Sequence, residues 1–329
     1  MKKIFFIIRL LIAAALIAAL CFMCDLGTVM ENLKKSRLDL LGCALLAFLA
    51  SYLITAWRWK VLIAGTEKPI PFFKLIRYSF TASFCNNFLP TGFGGDITRI
   101  INMRPWGYSV AESTGLLFME RLIGFLTIGL LIILSLPFVI TDVFWVVWAG
   151  DSKNRIAVLL VAVFLIAIIS AMILLLILIC SKKTVGKLKA WASKIRYPKV
   201  SAFICEFLEK LNQRVRGAKT IFKLTLVSIL LQFSFALAFY LCFLAVLGEA
   251  IPFVYFFALV QITSLLGVVP ISIETLGTRE YVFMMFLFLD SSALFACLII
   301  ARAASVIMTL PGALFFITDG LFRKCTPKD

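Results

Sequence analysis

Eight ionisable side chains stand in parts of the chain that are otherwise apolar or rich in glycine and proline. They are Arg99, Arg121, Arg279 and Arg302, with Asp96, Glu120, Glu274 and Glu280. A charge at the centre of a bilayer costs about 2.5–3.5 kcal/mol on the insertion scale, so such residues pair or line a wet cavity. Arginine is also the side chain best shaped to grip phosphate with a two-pronged fork. Two readings follow. In one, Arg99, Arg279, Arg302 and Arg121 face a common cavity and bind an anionic headgroup. In the other, four arginines and four carboxylates cancel locally and only fix helix packing. Gly92, Gly94 and Gly95, in the string T-G-F-G-G-D, add a third group of interest. Glycine amides ahead of a helix N-terminus are suited to cradling an anion. Asp96 opposes that use, because its carboxylate competes with a bound anion and is suited to capping the helix instead.

The elements that must position these residues are set by composition. Of 329 residues, 62% are hydrophobic and 15% are charged, against roughly 45–50% and about 25% in soluble domains. Long apolar blocks predict an all-α, polytopic membrane helical bundle. Continuous spans are expected at about 4–24, 38–60, 113–140, 156–180, 220–247 and 291–320, each near the 20 or so residues a crossing needs. The segment Ile156–Ile179 is apolar on every face, which excludes the alternation of a membrane β-barrel. The first block is too long for a typical cleaved signal and is expected to be retained. The whole chain, 1–329, reads as a single membrane domain.

Histidine is absent, which removes the commonest metal ligand and general base. Nine cysteines lie mostly inside apolar blocks, and the Cys21/Cys24 pair reads as two small apolar residues on one helix. No phosphate-binding loop is present, so neither a cofactor nor ATP hydrolysis is expected.

Basic residues set the expected orientation. Between Ser181 and Lys223 there are twelve lysines and arginines and two glutamates, a net of +10 out of +16 for the chain. The segment 181–219 is therefore expected to be a basic cytoplasmic loop. Both termini, and the segment bearing Arg58, Lys60, Lys68, Lys74 and Arg77, are expected on the same side, and a loop near 141–155 on the other. Attraction to anionic lipid accounts for the charge at about 1 kcal/mol per basic residue. Nucleic acid is not expected as a partner. Trp57, Trp59, Trp145 and Trp148 fall at predicted span ends, as an interfacial belt requires.

Two interrupted stretches resemble each other. Residues 70–99 and 251–280 each begin with an isoleucine, a proline and a phenylalanine, run through a short apolar segment, and reach a second proline, a glycine-containing turn and an arginine. Pro71 and Pro252 are 181 positions apart; Pro90 and Pro270, and Arg99 and Arg279, are 180 apart. The segments are at the short limit for crossing, so two re-entrant or broken-helix elements are expected. Three predicted spans separate them, an odd number, which inverts the second relative to the first. Paired broken helices in corresponding halves point to a binding site near the membrane midplane.

The strings NNFLPTGFGGDITR (86–99), ERLIGF (120–125), PISIETLGTRE (270–280) and ARAASVIMTLPGAL (301–314) stand in an order that resembles the lysylphosphatidylglycerol synthase transmembrane, or flippase-like, family. The resemblance covers nearly the whole chain. It implies a bundle with paired re-entrant elements in the cytoplasmic membrane, with membrane lipids as ligands and lipid translocation as the function. It leaves open an intramembrane enzyme, or an accessory subunit to a lipid-modifying or glycosyltransferase enzyme. Two departures stand out: Glu274-Thr275 replace the family's usual Gly-Gly, and Thr278 precedes the arginine where valine is frequent. No soluble aminoacyl-transferase domain accompanies these motifs, so aminoacyl transfer by this chain is not expected.

Overall fold

A computed structural model describes residues 36–64, 66, 68–87, 94–149, 152–215, 217–248, 251–266, 283 and 291–319. The predicted first span at 4–24, with Cys21 and Cys24, lies outside the described residues. So do Pro90, Gly92, Pro270, Glu274, Arg279 and Glu280.

Among the described residues every regular element is a helix. We number them α1 (Leu38–Ile63), α2 (Phe72–Asn86), α3 (Gly94–Met103), α4 (Val110–Ala149), α5 (Ser152–Cys180), α6 (Lys182–Ala192), α7 (Pro198–Val215), α8 (Ala218–Leu247), α9 (Phe253–Leu266), α10 (Ser291–Thr309) and α11 (Pro311–Asp319). Among the described residues, five stretches are long and apolar enough to cross a bilayer: Leu38–Ile63, Val110–Phe138, Ala162–Cys180, Ala218–Leu247 and Cys297–Thr318. The chain is a polytopic helical membrane bundle. The helices α2 and α9, at 15 and 14 residues, rise only about 20 Å at 1.5 Å per residue and fall short of a 30 Å hydrocarbon core.

Three expectations need correction. The last predicted span, 291–320, is not continuous: it breaks at Leu310, and Pro311 starts a new helix. Proline has no N–H to give and its ring crowds the preceding turn, so it kinks or breaks a helix; α4 runs on through Pro137, whereas the chain breaks at Pro311. The loop expected near 141–155 is mostly helical, since α4 reaches Ala149 and α5 starts at Ser152. The basic loop at 181–219 is two helices, α6 and α7. Ser181 caps α6 by accepting from the Thr184 amide at 3.3 Å. Ser109 donates to Glu206 at 2.6 Å, and Phe118 packs edge-on against Phe207, which docks α7 on the start of α4.

The internal repeat extends well beyond the broken segments. Helices α1 and α8, α2 and α9, and α4 and α10 begin at Leu38 and Ala218, Phe72 and Phe253, and Val110 and Ser291, which are 180, 181 and 181 positions apart. The short helices start alike at the level of single hydrogen bonds. The Pro71 carbonyl accepts from the amides of Lys74 and Leu75, and the Pro252 carbonyl accepts from those of Tyr255 and Phe256. Proline at this position loses nothing, because its missing N–H would be unpaired there in any case.

The two halves are inverted. The Arg37 amide donates to the Ala245 carbonyl at 3.0 Å, Ser234 donates to the Ala47 carbonyl at 2.9 Å, and Phe48 packs on Phe235. Positions climb along α1 as they fall along α8, so these counterparts lie antiparallel. Buried Ala44, Ala236, Ala238 and Ala245 let their backbones approach, as packing in lipid requires. Each has matching neighbours: α1 packs on α2 and α10, and α8 on α9 and α4. An offset of 180 combined with opposed directions means one position faces its own counterpart. That place is Ser51 against Leu231, where the pseudo-two-fold axis passes between α1 and α8.

Among the described residues the halves differ where α4 continues and α10 ends. Position 130 is Leu and α4 continues through it, whereas its counterpart is Pro311. After that break, α11 turns onto α2, with Gly312 seated on the Phe80 backbone so closely that any side chain there would overlap it. Arg77 lies over the Phe315 ring at 4.9 Å and donates to Thr318 at 2.9 Å, which fixes the far side of the contact.

Candidate functional site

Glu120 and Arg121 are adjacent on α4, so their side chains leave the helix about 100° apart and serve different neighbours. Glu120 points to α1 and α3. It accepts from Arg58 at 2.6 and 3.1 Å and from Arg99 at 3.1 Å. Glu120 is 4% exposed, Arg58 11% and Arg99 13%. The Arg99 guanidinium also lies over the Trp59 ring at 5.1 Å. One carboxylate between two arginines thus ties α1, α3 and α4 together. Arg121 turns the other way and pairs with Asp96 in the first turn of α3. A carboxylate there also meets the partial positive charge of the helix start.

Sequence reasoning missed Arg58, placing it with flanking charges such as Lys60. It also placed Trp59 in the interfacial belt, whereas the ring is buried at 3% exposure beneath Arg99. Trp57 is 45% exposed, in keeping with a belt, and only the backbone is described for Trp145 and Trp148.

Gly95 acts as a packing residue. Gly95 donates its amide to the Asn86 side-chain oxygen at 2.6 Å, so that amide is already engaged. A Cβ on Gly95 would stand 2.5 Å from the Ala82 carbonyl and 2.7 Å from Asn86. Gly94 and Gly95 are both buried where α3 crosses the end of α2.

A cavity of about 480 Å³ lies on the pseudo-two-fold axis. Its size is that of a small-ligand pocket. The two halves line it in counterpart pairs. Near the axis stand Ser51 and Leu231, Tyr52 and Gln232, and Thr55 and Phe235, each 180 apart. Farther out stand Ser83 and Ser264, Phe125 and Val306, and Arg121 and Arg302, each 181 apart. Two of the four sequence-predicted arginines therefore meet here, at equivalent places in the repeat. Arg99 and Glu120 are held in the neighbouring ion-pair network, and Asp96 touches the cavity only through Arg121. Arg279 and Glu280 lie outside the described residues.

The lining is uneven between halves. Ser51, Tyr52 and Thr55 on α1, with Asn86 at the end of α2 and Asn87 just past it, make one wall polar, while Leu231, Phe235 and Phe239 make the α8 wall largely apolar around Gln232. Tyr52 also bridges to α10, within 3.1 Å of the Ser305 carbonyl. The cavity can thus hold an amphipathic molecule.

A family model described as the lysylphosphatidylglycerol synthase TM region matches residues 6–312. The chain belongs to this family. Among curated proteins it is similar to a UPF0104 membrane protein of Methanothermobacter thermautotrophicus, 23% identical over 292 residues, covering 83% of this chain and 80% of the relative. For this member of the lysylphosphatidylglycerol synthase TM family, membership places the chain among membrane proteins related to lipid modification or translocation. The family match runs through both halves of the repeat and all the described residues of the cavity.

Proposed function

We propose that this chain is a translocase that carries a lipid with an anionic headgroup, phospholipid or polyprenyl-phosphate-linked, across the cytoplasmic membrane without changing it covalently. The observation that carries the reading is the cavity on the inverted-repeat axis, with one arginine from each half at equivalent positions. Arg121 and Arg302 would hold the headgroup phosphate, and the apolar α8 wall would shield the chains. Inverted halves have two nearly equivalent packings, so a rocking of one against the other exposes the site first to one face and then to the other. An ion gradient or downstream consumption of the lipid would give direction. The basic helices α6 and α7 and both termini would face the cytoplasm. A lipid-modifying or glycosyltransferase enzyme is the natural partner, supplying or consuming the lipid.

The test is reconstitution of the full chain into vesicles with acyl-labelled anionic lipid. Protein-dependent translocation, reduced at least tenfold in Arg302→Gln with folded protein retained, is the expected result. Recovery of a chemically altered lipid would indicate an enzyme instead, and rates equal to protein-free vesicles would refute translocation.

A further inference from the structure

The basic helices α6 and α7 are held at one membrane surface by both of their ends. Helix α5 ends at Cys180 and α6 starts at Lys182; α7 ends at Val215 and α8 starts at Ala218. Both α5 and α8 contain stretches long and apolar enough to cross, Ala162–Cys180 and Ala218–Leu247. Contacts with α4 give the orientation of the pair. Glu206 and Phe207 are adjacent on α7, yet Glu206 accepts from Ser109 and Phe207 packs on Phe118, nine positions and about 13 Å farther along α4. Neighbours that reach so far apart on a spanning helix mean that α7 crosses it steeply and runs along the membrane surface. Of the two contacts, Phe118 lies deeper in the span Val110–Phe138. The Phe207 side of α7 thus faces the hydrocarbon, and the Glu206 side faces water.

The residue types sort by side. Phe203 stacks on Phe207 with ring centroids 6.4 Å apart, and Val200 is seven positions before Phe207 on the same face. Both Phe203 and Val200 are exposed and prolong the apolar strip that starts at Phe118. Lys199, Lys210 and Gln213 share the Glu206 side, seven, four and seven positions from it. Helix α6 is tied beside α7 by the Lys189–Glu209 ion pair and by Cys205, which donates to the Lys189 carbonyl. It leaves Leu188 and Trp191, one turn apart, uncovered; Trp191 is 66% exposed and Tyr197, between the helices, 69%. Around these stand Lys182, Lys183, Lys187, Lys194, Arg196 and Lys199, all exposed. From Lys182 to Gln213 eight basic residues face two carboxylates, Glu206 and Glu209.

We propose that α6 and α7 form a second lipid-binding surface, apart from the axial cavity, that takes the anionic phospholipids of one leaflet. Val200, Phe203 and Trp191 enter the boundary between headgroups and chains, and the basic side chains hold the phosphates. A helix with an aromatic face and a basic face lies in the membrane plane in this way. Tryptophan and tyrosine favour that depth, and basic residues beside it are drawn to anionic lipid. Charge alone attracts this segment to the membrane; the crossing at α4 places its apolar side within it. That same crossing selects lipid over a soluble partner, because the strip from Phe118 to Val200 opens toward the hydrocarbon. The inference is independent of the translocase reading.

Site-specific photocrosslinking of the full chain in vesicles tests this. A photoreactive benzoylphenylalanine replaces Phe203, or Gln213 on the opposite side of α7, in vesicles of phosphatidylcholine and phosphatidylglycerol in equal amounts. The probe at 203 is expected to give lipid adducts in which phosphatidylglycerol is over-represented at least about threefold. The probe at 213 is expected to give at least about tenfold fewer lipid adducts. With Lys187→Gln, Lys194→Gln and Lys199→Gln together, adducts at 203 should persist while the excess of phosphatidylglycerol falls to near parity. A probe at Leu160, 65% exposed on α5, should give unbiased lipid adducts with or without the triple variant, which shows that the variant chain is folded and inserted. Equal lipid adducts at 203 and 213 would overturn the orientation. Adducts at 203 to a second copy of the chain in place of lipid would overturn the lipid as occupant. Lipid adducts without bias, or a bias unchanged in the triple variant, would overturn the recognition of anionic headgroups. The cavity is not probed, so failure here leaves the translocase reading standing.

Discussion

Glu120→Gln removes the one anion shared by two buried arginines, and its consequence is calculable. The carboxylate is 4% exposed and accepts three hydrogen bonds, two from Arg58 and one from Arg99. Glutamine keeps the size and one acceptor oxygen but not the charge. Breaking a buried pair and leaving the partner charged costs about 3–5 kcal/mol. At 1.4 kcal/mol per decade, the folded population relative to the unfolded falls roughly 100- to 4,000-fold. Arg58, Arg99 and Glu120 come from three helices, so α1, α3 and α4 loosen together. The assay is thermal unfolding of purified protein in detergent, with monodisperse yield as a second readout. Glu120→Gln should unfold well below the parent and yield less protein. Replacing the whole network with apolar residues of similar size, Arg58→Met, Glu120→Leu and Arg99→Met together, should recover much of the loss, since no buried charge is then left alone. A Glu120→Gln protein as stable as the parent would refute the claim that this cluster holds the three helices.

Two further outcomes follow from packing and surface charge. Gly95→Val should destabilise the protein by at least about 1–3 kcal/mol by overpacking, since its Cβ meets the Ala82 backbone carbonyl, which cannot swing aside; the same unfolding assay reads it. On the surface, Lys189 bonds Glu209 at 2.7 Å and holds its carboxyl below the ordinary range. A lowered carboxyl contributes stability above its unfolded pKa and loses it as pH falls through the folded value, so Glu209→Gln should flatten the acid side of a stability-against-pH curve. The effect is small because the pair is exposed, and high salt should abolish it.

Much of this organisation is legible in the sequence, for definite reasons. Crossing helices announce themselves by length, and the Ile-Pro-Phe repeat is visible because proline at a helix start is a local requirement. The extension of that repeat to α1/α8 and α4/α10 is hidden, because Ala, Leu and Phe interchange freely on packed faces. Arg58 reads as a flanking charge beside Lys60, and only the fold brings it to Glu120, 62 positions away. The paired breaks point toward a site between halves, yet much of its polar wall comes from the uninterrupted helix α1, with Asn86 and Asn87 added from the end of the first short helix. Ser51, Tyr52 and Thr55 do carry a signal: positions 51 and 55 share one helical face in an apolar span, with 52 beside them. Such small polar residues are also common where helices merely pack, so the pattern gains meaning only once the repeat axis is seen to pass beside it. The break at Pro311 was within reach too, since proline inside a predicted span ends or bends it.

The central claim, that a lipid occupies the cavity on the repeat axis, is tested most directly by photocrosslinking. A phosphatidylglycerol with a diazirine close to the glycerol end of one acyl chain is incorporated with the full chain into vesicles, irradiated, and the adducts mapped by peptide mass spectrometry. Adducts are expected on Ser51–Thr55 of α1 and Leu231–Phe235 of α8, suppressed by excess unlabelled lipid and lost in Arg302→Gln. Adducts confined to outward-facing residues such as Leu160 and Val163 of α5, each 65% exposed, and indifferent to competitor, would contradict it.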